Sequence, residues 1–152
     1  MTEDETMSDD TRRAIESDCR DLAIRSIVLN DTQDWETLTD LFTEDAVFVR
    51  PIAPDDPIKG KEAILAQYKA RPKSRVTRHF ATNVVIDVEG GDKARGLMYV
   101  LLISGTAETD PPKFPIKADP ALLVGEFRDD YVLTDAGWRI AKRDGSMIFA
   151  GA

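Results

Sequence analysis

The first half of the chain has apolar side chains at helical spacing. Between residues 11 and 30 they recur every three or four positions and form one stripe of an amphipathic helix, at Ile15, Cys19, Leu22, Ala23 and Ile27. Asp34 is a suitable N-cap for a second helix that extends to residue 42. A third helix is predicted over residues 61–70 and ends before Pro72, because proline disfavours helical backbone at the preceding residue.

Longer apolar-rich runs, typical of β-strands, dominate the second half. Gly90-Gly91 is a strong hairpin signal between two of them, and the proline-rich stretches 51–57 and 105–120 are predicted as loops. Five strands are predicted, over residues 46–49, 76–89, 95–104, 122–134 and 138–149. The order α-α-β-α-β-β-β-β indicates an α+β fold, with three N-terminal helices packed on a curved, mostly antiparallel sheet. A sheet wrapped around helices makes a cone-shaped α+β barrel, whose mouth is a natural small-molecule pocket.

Length and charge limit the classes of protein to consider. A chain of 152 residues suits one domain, and we expect a disordered acidic leader at residues 1–10 and a single domain at residues 11–152. The leader has five acidic residues and no basic one, unlike a signal peptide, and the longest apolar run, seven residues, is too short to span a bilayer. The sequence thus predicts a cytoplasmic protein with no membrane partner. The net charge of −8 and the lack of a basic stripe argue against a nucleic-acid partner.

The single cysteine and the single histidine exclude several kinds of site. One cysteine allows neither an internal disulfide nor a multi-cysteine zinc site, and Cys19 lies in the apolar stripe of the first helix, where a buried core residue is expected. One histidine excludes histidine-rich metal ligation. A cation could instead bind to acidic side chains at Glu126, Asp129 and Asp130. Adjacent strand residues point to opposite faces of a sheet, so Asp129 and Asp130 would not bind the same ion. The sequence therefore predicts no metal site.

His79 is the leading candidate for chemistry, because histidine is the side chain best suited to proton transfer near neutral pH. Asp31 lies just past the end of the first helix. If that helix packs across the sheet, the Asp31 carboxylate holds one imidazole nitrogen and leaves the other facing the pocket. The alternative is that Asn30-Asp31 is ordinary turn chemistry at a helix end and His79 a packed or surface residue. The spacing alone leaves both interpretations open.

Five short segments carry a family resemblance: DWE at 34–36, LFTEDA at 41–46, GKEAI at 60–64, RHFATN at 78–83 and GWRIA at 137–141. In their order and spacing they resemble the SnoaL-like branch of the nuclear-transport-factor-two-like superfamily, over about residues 14 to 149. The resemblance implies a cone-shaped α+β domain, commonly a dimer. The superfamily includes lyases, isomerases, polyketide cyclases and non-catalytic subunits.

The resemblance also implies a catalytic pair. The branch with scytalone dehydratase and hexachlorocyclohexane dehydrochlorinase uses an Asp-His dyad as general base for eliminations. Its aspartate ends the first helix, as Asp31 does here, and its histidine opens a strand motif that His79, Thr82 and Asn83 match. Asp31 and His79 are therefore expected to form the dyad.

Departures from the family pattern restrict the reactions to consider. Leu133 stands near the position of an arginine in the dehydrochlorinase, and Arg50-Pro51 stands where ketosteroid isomerases place an aspartate base. The second histidine of scytalone dehydratase has no counterpart. A dehydratase would need another acid or a bound water, for which Tyr99 and Tyr131 are the candidates.

The sequence therefore predicts a cofactor-independent lyase, isomerase or cyclase that acts on a small apolar or aromatic substrate, as a homodimer or a higher homo-oligomer. The structure of such an enzyme would show a hydrogen bond between Asp31 and His79 at the base of a closed apolar cavity. The alternative is a non-catalytic ligand-binding module, or a subunit like the small subunit of ring-hydroxylating dioxygenases, with a filled cone and a large exposed apolar patch. The candidate substrate-binding residues are Trp35, Arg50, Tyr68, Asn83, Tyr99 and Tyr131.

Overall fold

The protein is an α+β fold in which three helices cover one face of a curved six-stranded sheet. The structure, a computed structural model, describes residues 6–151. The sheet order is β2-β1-β6-β5-β4-β3, and β1 with β6 is the one parallel pair among the described residues. The predicted fold class is confirmed. The elements are α1 (Asp9–Asp31), α2 (Trp35–Asp40), β1 (Phe42–Arg50), β2 (Ala53–Lys59), α3 (Lys61–Lys69), β3 (Arg75–Val88), β4 (Lys93–Thr106), β5 (Leu123–Thr134) and β6 (Gly137–Ala150).

Helix α1 begins two residues earlier than predicted. The Ser8 hydroxyl accepts a hydrogen bond from the Thr11 backbone N–H at 3.1 Å and caps the helix. Asp9 and Asp10, which we assigned to a disordered leader, form the first turn, where acidic side chains interact favourably with the helix dipole. Residues 1–5, the start of the predicted leader, lie outside the described residues.

The apolar stripe predicted for α1 is the face that packs on the sheet. All five of its residues are buried, and α1 contacts β3, β4 and β6. Cys19 is fully buried, and burial, with a further effect of Asp18, raises the pKa of its thiol to about 12. A thiol that stays protonated is a poor nucleophile, so Cys19 is a packing residue, as predicted.

The stretch 51–57, which we predicted as a loop, mostly belongs to strand β2. This strand pairs antiparallel with β1, with Phe48 opposite Ile58. Pro54 and Pro57 are compatible with this pairing because β2 is an edge strand, where a proline need not donate to a second neighbour. The second helix is also shorter than predicted, because Phe42 is already part of β1.

A β-bulge interrupts the pairing of the long strands β3 and β4. The register shifts between Thr82 and Val85, and Asn83 within this segment has φ of 53°, a left-handed conformation that asparagine tolerates better than most residues. Its side chain is exposed and accepts a hydrogen bond from the Thr82 hydroxyl at 3.0 Å. The prediction that Asn83 binds substrate is wrong: the residue shapes the strand and does not line the cavity that His79 lines.

The core contains a buried ion pair between neighbouring strands. Arg143 on β6 donates to Asp129 on β5 through two parallel hydrogen bonds of 2.9 and 2.7 Å. A third bond of 2.8 Å runs from Arg143 to the Ser26 hydroxyl on α1. Burial alone would lower the pKa of Arg143, but Asp129 outweighs it and raises that pKa above its ordinary value. The pair therefore ties α1 to two strands.

Tyr131 belongs to this buried network and not to a substrate site. It is 2% exposed, and its hydroxyl donates to Asp129 at 2.8 Å. Burial and the nearby Asp129 raise the pKa of the phenol well above its ordinary value. The prediction that Tyr131 binds substrate is wrong, and so is the alternative of a cation at Asp129, whose oxygens are engaged by Arg143 and Tyr131.

Candidate active site

The end of helix α1 brings Asp31 onto the first residues of β3. The Asp31 carboxylate accepts three hydrogen bonds: from His79 Nδ1 at 2.5 Å, from the His79 backbone N–H at 2.8 Å and from the Thr77 hydroxyl at 2.8 Å. Both side chains are about nine-tenths buried, with exposed fractions of 9% for Asp31 and 10% for His79. The hydrogen bond that we predicted between them is present.

These contacts fix the ionisation of Asp31 and the orientation of the imidazole. Burial alone would raise the pKa of Asp31, but the hydrogen bonds and charge of His79, with the bond from Thr77, outweigh it and lower that pKa. An ionised carboxylate only accepts hydrogen bonds, so in the neutral imidazole the ring proton lies on Nδ1. The unprotonated Nε2 is then directed away from Asp31 and makes no hydrogen bond to any residue from 6 to 151.

The turn after α1 holds this geometry in place. Thr32 ends the helix, and Gln33 has φ of 58°. The Gln33 side-chain amide donates to the backbone carbonyl of Arg75 at 2.8 Å, which fastens the turn to the start of β3. Gln33 is thus a positioning residue that the sequence did not reveal, because a glutamine in a turn has no distinctive pattern.

His79 lines a cavity of about 260 Å³ between the helices and the concave face of the sheet. This volume lies just below the roughly 300–1,000 Å³ of pockets for drug-sized ligands, so the cavity suits a small molecule. Apolar residues from the sheet form one side: Phe48, Val100, Leu102, Leu123, Phe127 and Met147. Polar lining residues other than His79 are Asn30, Arg50, Gln67, Tyr68, Arg71 and Glu126.

Tyr68 lines the cavity and Trp35 supports it from behind. The Tyr68 ring stacks on Trp35 at a centroid distance of 5.2 Å and on Phe48 at 5.9 Å. Burial raises the pKa of Tyr68, so the phenol remains a neutral hydrogen-bond donor. Trp35 is not among the lining residues. The structure thus places the Tyr68 side chain at the cavity and Trp35 behind it, in contact with Tyr68 and Arg71.

Arg50 lines the cavity near the turn between β1 and β2. One guanidinium nitrogen donates to Asp56 at 2.9 Å, and Nε is buried without a hydrogen-bond partner among the described residues. The prediction that Arg50 faces the pocket therefore agrees with its position. Asp56 offsets its charge.

Arg71 is a cavity residue that the sequence did not reveal. It follows α3, and its Nη1 donates to the Asn30 side-chain carbonyl at 2.7 Å. The guanidinium carbon lies over the Trp35 ring, 5.3 Å from its centroid. Burial lowers the pKa of Arg71 below its ordinary value, but an arginine stays charged. Because Arg71 lies in a loop just before a proline, neither helical nor strand periodicity predicts which way its side chain points.

Tyr99 is on the opposite side of the sheet. Its neighbours Met98 and Val100 are buried, whereas Tyr99 is 44% exposed and does not line the cavity. The prediction that Tyr99 binds substrate or supplies an acid is wrong. Of the eight predicted site residues, the structure brings together Asp31, His79, Arg50 and Tyr68.

Two further observations concern metals and membranes. Among residues 6–151, no three histidine, cysteine or acidic side chains lie close enough together to hold a metal ion. Within the same range, no helix is both long and apolar enough to cross a membrane.

The three helices and the curved sheet enclose the cavity in an α+β fold of the nuclear-transport-factor-two-like type. The model of the SnoaL-like domain matches residues 11–144, and the chain belongs to that family. A search among curated proteins finds no significant match.

Solved structures of similar fold include two proteins whose names refer to eliminations. A candidate scytalone dehydratase from Novosphingobium aromaticivorans is 19% identical with a TM-score of 0.80, over 94% of this chain and 90% of that one. A hexachlorocyclohexane dehydrochlorinase from Novosphingobium barchaimii is 21% identical with a TM-score of 0.76, over 94% and 92%. A Mycobacterium tuberculosis protein of unknown function is 28% identical with a TM-score of 0.73, over 94% and 78%. At these identities the first two likenesses show the fold.

Proposed function

We propose that the protein is a cofactor-independent enzyme in which His79, oriented by Asp31, removes a proton from a carbon atom of a small apolar or aromatic substrate. The observation that carries the proposal is the hydrogen bond between His79 Nδ1 and Asp31, beside a cavity that the imidazole lines. It leaves Nε2 as the free base of an imidazole whose orientation is already fixed.

In the proposed step, Nε2 takes the proton and the C–H electron pair stays with the substrate. In an elimination that pair forms a carbon–carbon double bond as the leaving group departs with its own electrons. In an isomerisation or cyclisation the electron pair is delocalised into an adjacent carbonyl. In an isomerisation another carbon atom is then protonated, and in a cyclisation the carbon forms a new bond. Asp31 stabilises the imidazolium that results, because its ionised carboxylate already accepts from Nδ1.

The relatives support this reaction class without defining the substrate. The candidate dehydratase and the dehydrochlorinase carry names that denote loss of water and of hydrogen chloride. The cavity beside His79 is open, which differs from the filled cone expected for a non-catalytic subunit.

Hydrogen exchange tests the proposal without knowledge of the leaving group. A panel of small cyclic ketones, β-hydroxyketones and aromatic acids is incubated with the protein in deuterated water, and deuterium uptake and new products are followed by mass spectrometry and NMR. For the compounds that respond, His79→Gln is expected to lower the rate by about 10²–10⁴-fold, the usual contribution of general acid–base catalysis. Arg78→Gln, one residue away and outside this cavity, is the control and should keep the wild-type rate. A His79→Gln variant as fast as wild type would contradict the proposal.

We also propose that the protein self-associates through the outer face of the sheet. His79, Leu102 and Leu123 line the cavity, so their strand neighbours point outward. The outward neighbours form a continuous apolar row across four paired strands, and its end residues, Phe80 and Phe149, are 53% and 67% exposed. The row consists of Phe80, Leu101, Val124 and Phe149.

Sedimentation velocity is expected to show a dimer for the wild-type protein, because association would bury this row. Phe80→Glu combined with Phe149→Glu is expected to give monomers. Phe114→Glu alters a side chain that is 68% exposed but lies outside the row, and it should leave the dimer intact. A monomeric wild type, or a double variant that still dimerises, would contradict this interface.

A further inference from the structure

The cavity contains one cationic side chain without an acidic partner among the described residues. Arg50 is paired with Asp56, and Glu126 is paired with Arg128 at 3.3 Å. Arg71 makes no salt bridge to any carboxylate between residues 6 and 151. A partly buried charge is costly to leave unpaired, so a ligand that pairs with Arg71 would explain its position.

The hydrogen-bonding capacity of Arg71 is also largely unused. Only Nη1 has a side-chain partner, Asn30, whereas a guanidinium carries five N–H donors. The group is held over the Trp35 ring, which fixes its plane before any ligand arrives and reduces the entropy lost on binding. Such a fixed planar fork fits a carboxylate, which accepts two parallel hydrogen bonds.

Asp31 is the acidic group that most affects Arg71, and it does not occupy these donors. Its charge acts on Arg71 electrostatically, but its two oxygens already accept three hydrogen bonds from His79 and Thr77. Arg71 and the Asp31–His79 pair therefore remain separate groups, and a ligand can contact both.

The lining is divided in a way that suits an amphipathic ligand. One side of the cavity is lined by polar hydrogen-bond donors from the end of α1, from α3 and from the loop after α3. They are Asn30, Gln67, Tyr68 and Arg71. Val100 and Leu102 on β4 and Phe127 on β5 are apolar. A ligand with an apolar ring and one acidic group matches both sides.

We infer that the cavity binds a small aromatic or alicyclic carboxylic acid, whose carboxylate is held by Arg71 and whose ring lies against the sheet. That this acid is also the substrate rests on the proposed function, whereas its binding does not. Recognition of the carboxylate by Arg71 places the remainder of the molecule between Arg71 and the sheet, in the cavity that His79 lines.

Binding of benzoate and of its neutral analogue benzamide, followed by calorimetry or ligand-observed NMR, tests the inference. Wild-type protein is expected to bind benzoate at least about tenfold more tightly than benzamide, since a hydrogen bond to a charged group contributes that much. Arg71→Met is expected to abolish this preference. Arg78→Met removes the same charge outside this cavity and should preserve it. If Arg71→Met does not fold, Arg71→Gln, which retains a donor for Asn30, serves the same comparison.

Two results would overturn the inference. One is a wild-type protein that does not favour benzoate over benzamide, including one that binds neither. The other is a preference that survives loss of Arg71. If that surviving preference disappears in His79→Gln, the imidazole is the group that holds the anion. The assay needs no turnover, so a protein that binds benzoate through Arg71 yet shows no His79-dependent exchange would refute the proposed reaction and leave the binding site standing.

Discussion

Replacing Asp31 with asparagine is expected to lower the rate of His79-dependent proton exchange by about 10³–10⁴-fold. The corresponding change in a Ser-His-Asp triad lowers kcat by about 10⁴ while the geometry is kept, because the imidazole adopts the wrong tautomer. Here the amide has one acceptor oxygen for the three donors that Asp31 now satisfies. It also carries no charge to stabilise the imidazolium.

The comparison requires the exchange assay on purified variants with matched thermal stability. Asp21→Asn removes the same charge from an exposed position on α1 and is expected to retain wild-type activity. An Asp31→Asn variant within tenfold of wild type would show that Asp31 has a structural role only.

Replacing Asp129 with asparagine is expected to lower the free energy of unfolding by about 3–5 kcal/mol, the usual loss when one partner of a buried ion pair is removed. Arg143 would keep its charge, with only 3% of its side chain exposed to water. Two charge-assisted hydrogen bonds would be lost or weakened, and Tyr131 would lose its ionic acceptor.

Urea unfolding followed by circular dichroism measures this effect. Asp130→Asn is the matched control, because its side chain is 54% exposed and surface substitutions usually change stability by less than about 0.5 kcal/mol. A loss below about 1 kcal/mol for Asp129→Asn would mean that the pair is not the link between α1, β5 and β6 that its hydrogen bonds indicate.

The helices and the pairing of Asp31 with His79 could be predicted because each left a local or family signal. The stripe of α1 follows helical periodicity, and its end places Asp31 where the family has its aspartate. Strand β2 could not be predicted, because its prolines indicate a loop unless the strand is known to lie at the edge of the sheet.

The direction of strand side chains was the main source of error. Tyr99 lies within an uninterrupted apolar run, from which the inward and outward positions cannot be read. On β5, Asp129 and Tyr131 share the inward face, and the error at Tyr131 arose because its hydroxyl is bound to a buried carboxylate. The bulge in β3 at Asn83 changes side-chain direction without a sequence pattern. Arg71 lies in the loop after α3, where no periodic pattern predicts the direction of a side chain.

The tautomer of His79 tests the proposed role of the Asp31–His79 pair most directly. The chain contains one histidine, so its two ring nitrogens give the only imidazole signals in a ¹⁵N spectrum of the labelled protein. For the neutral imidazole, we predict a proton on Nδ1 and an unprotonated Nε2 in wild type, with this preference reduced in Asp31→Asn. A wild-type spectrum in which Nε2 carries the proton would contradict this prediction, because no free base would then face the cavity.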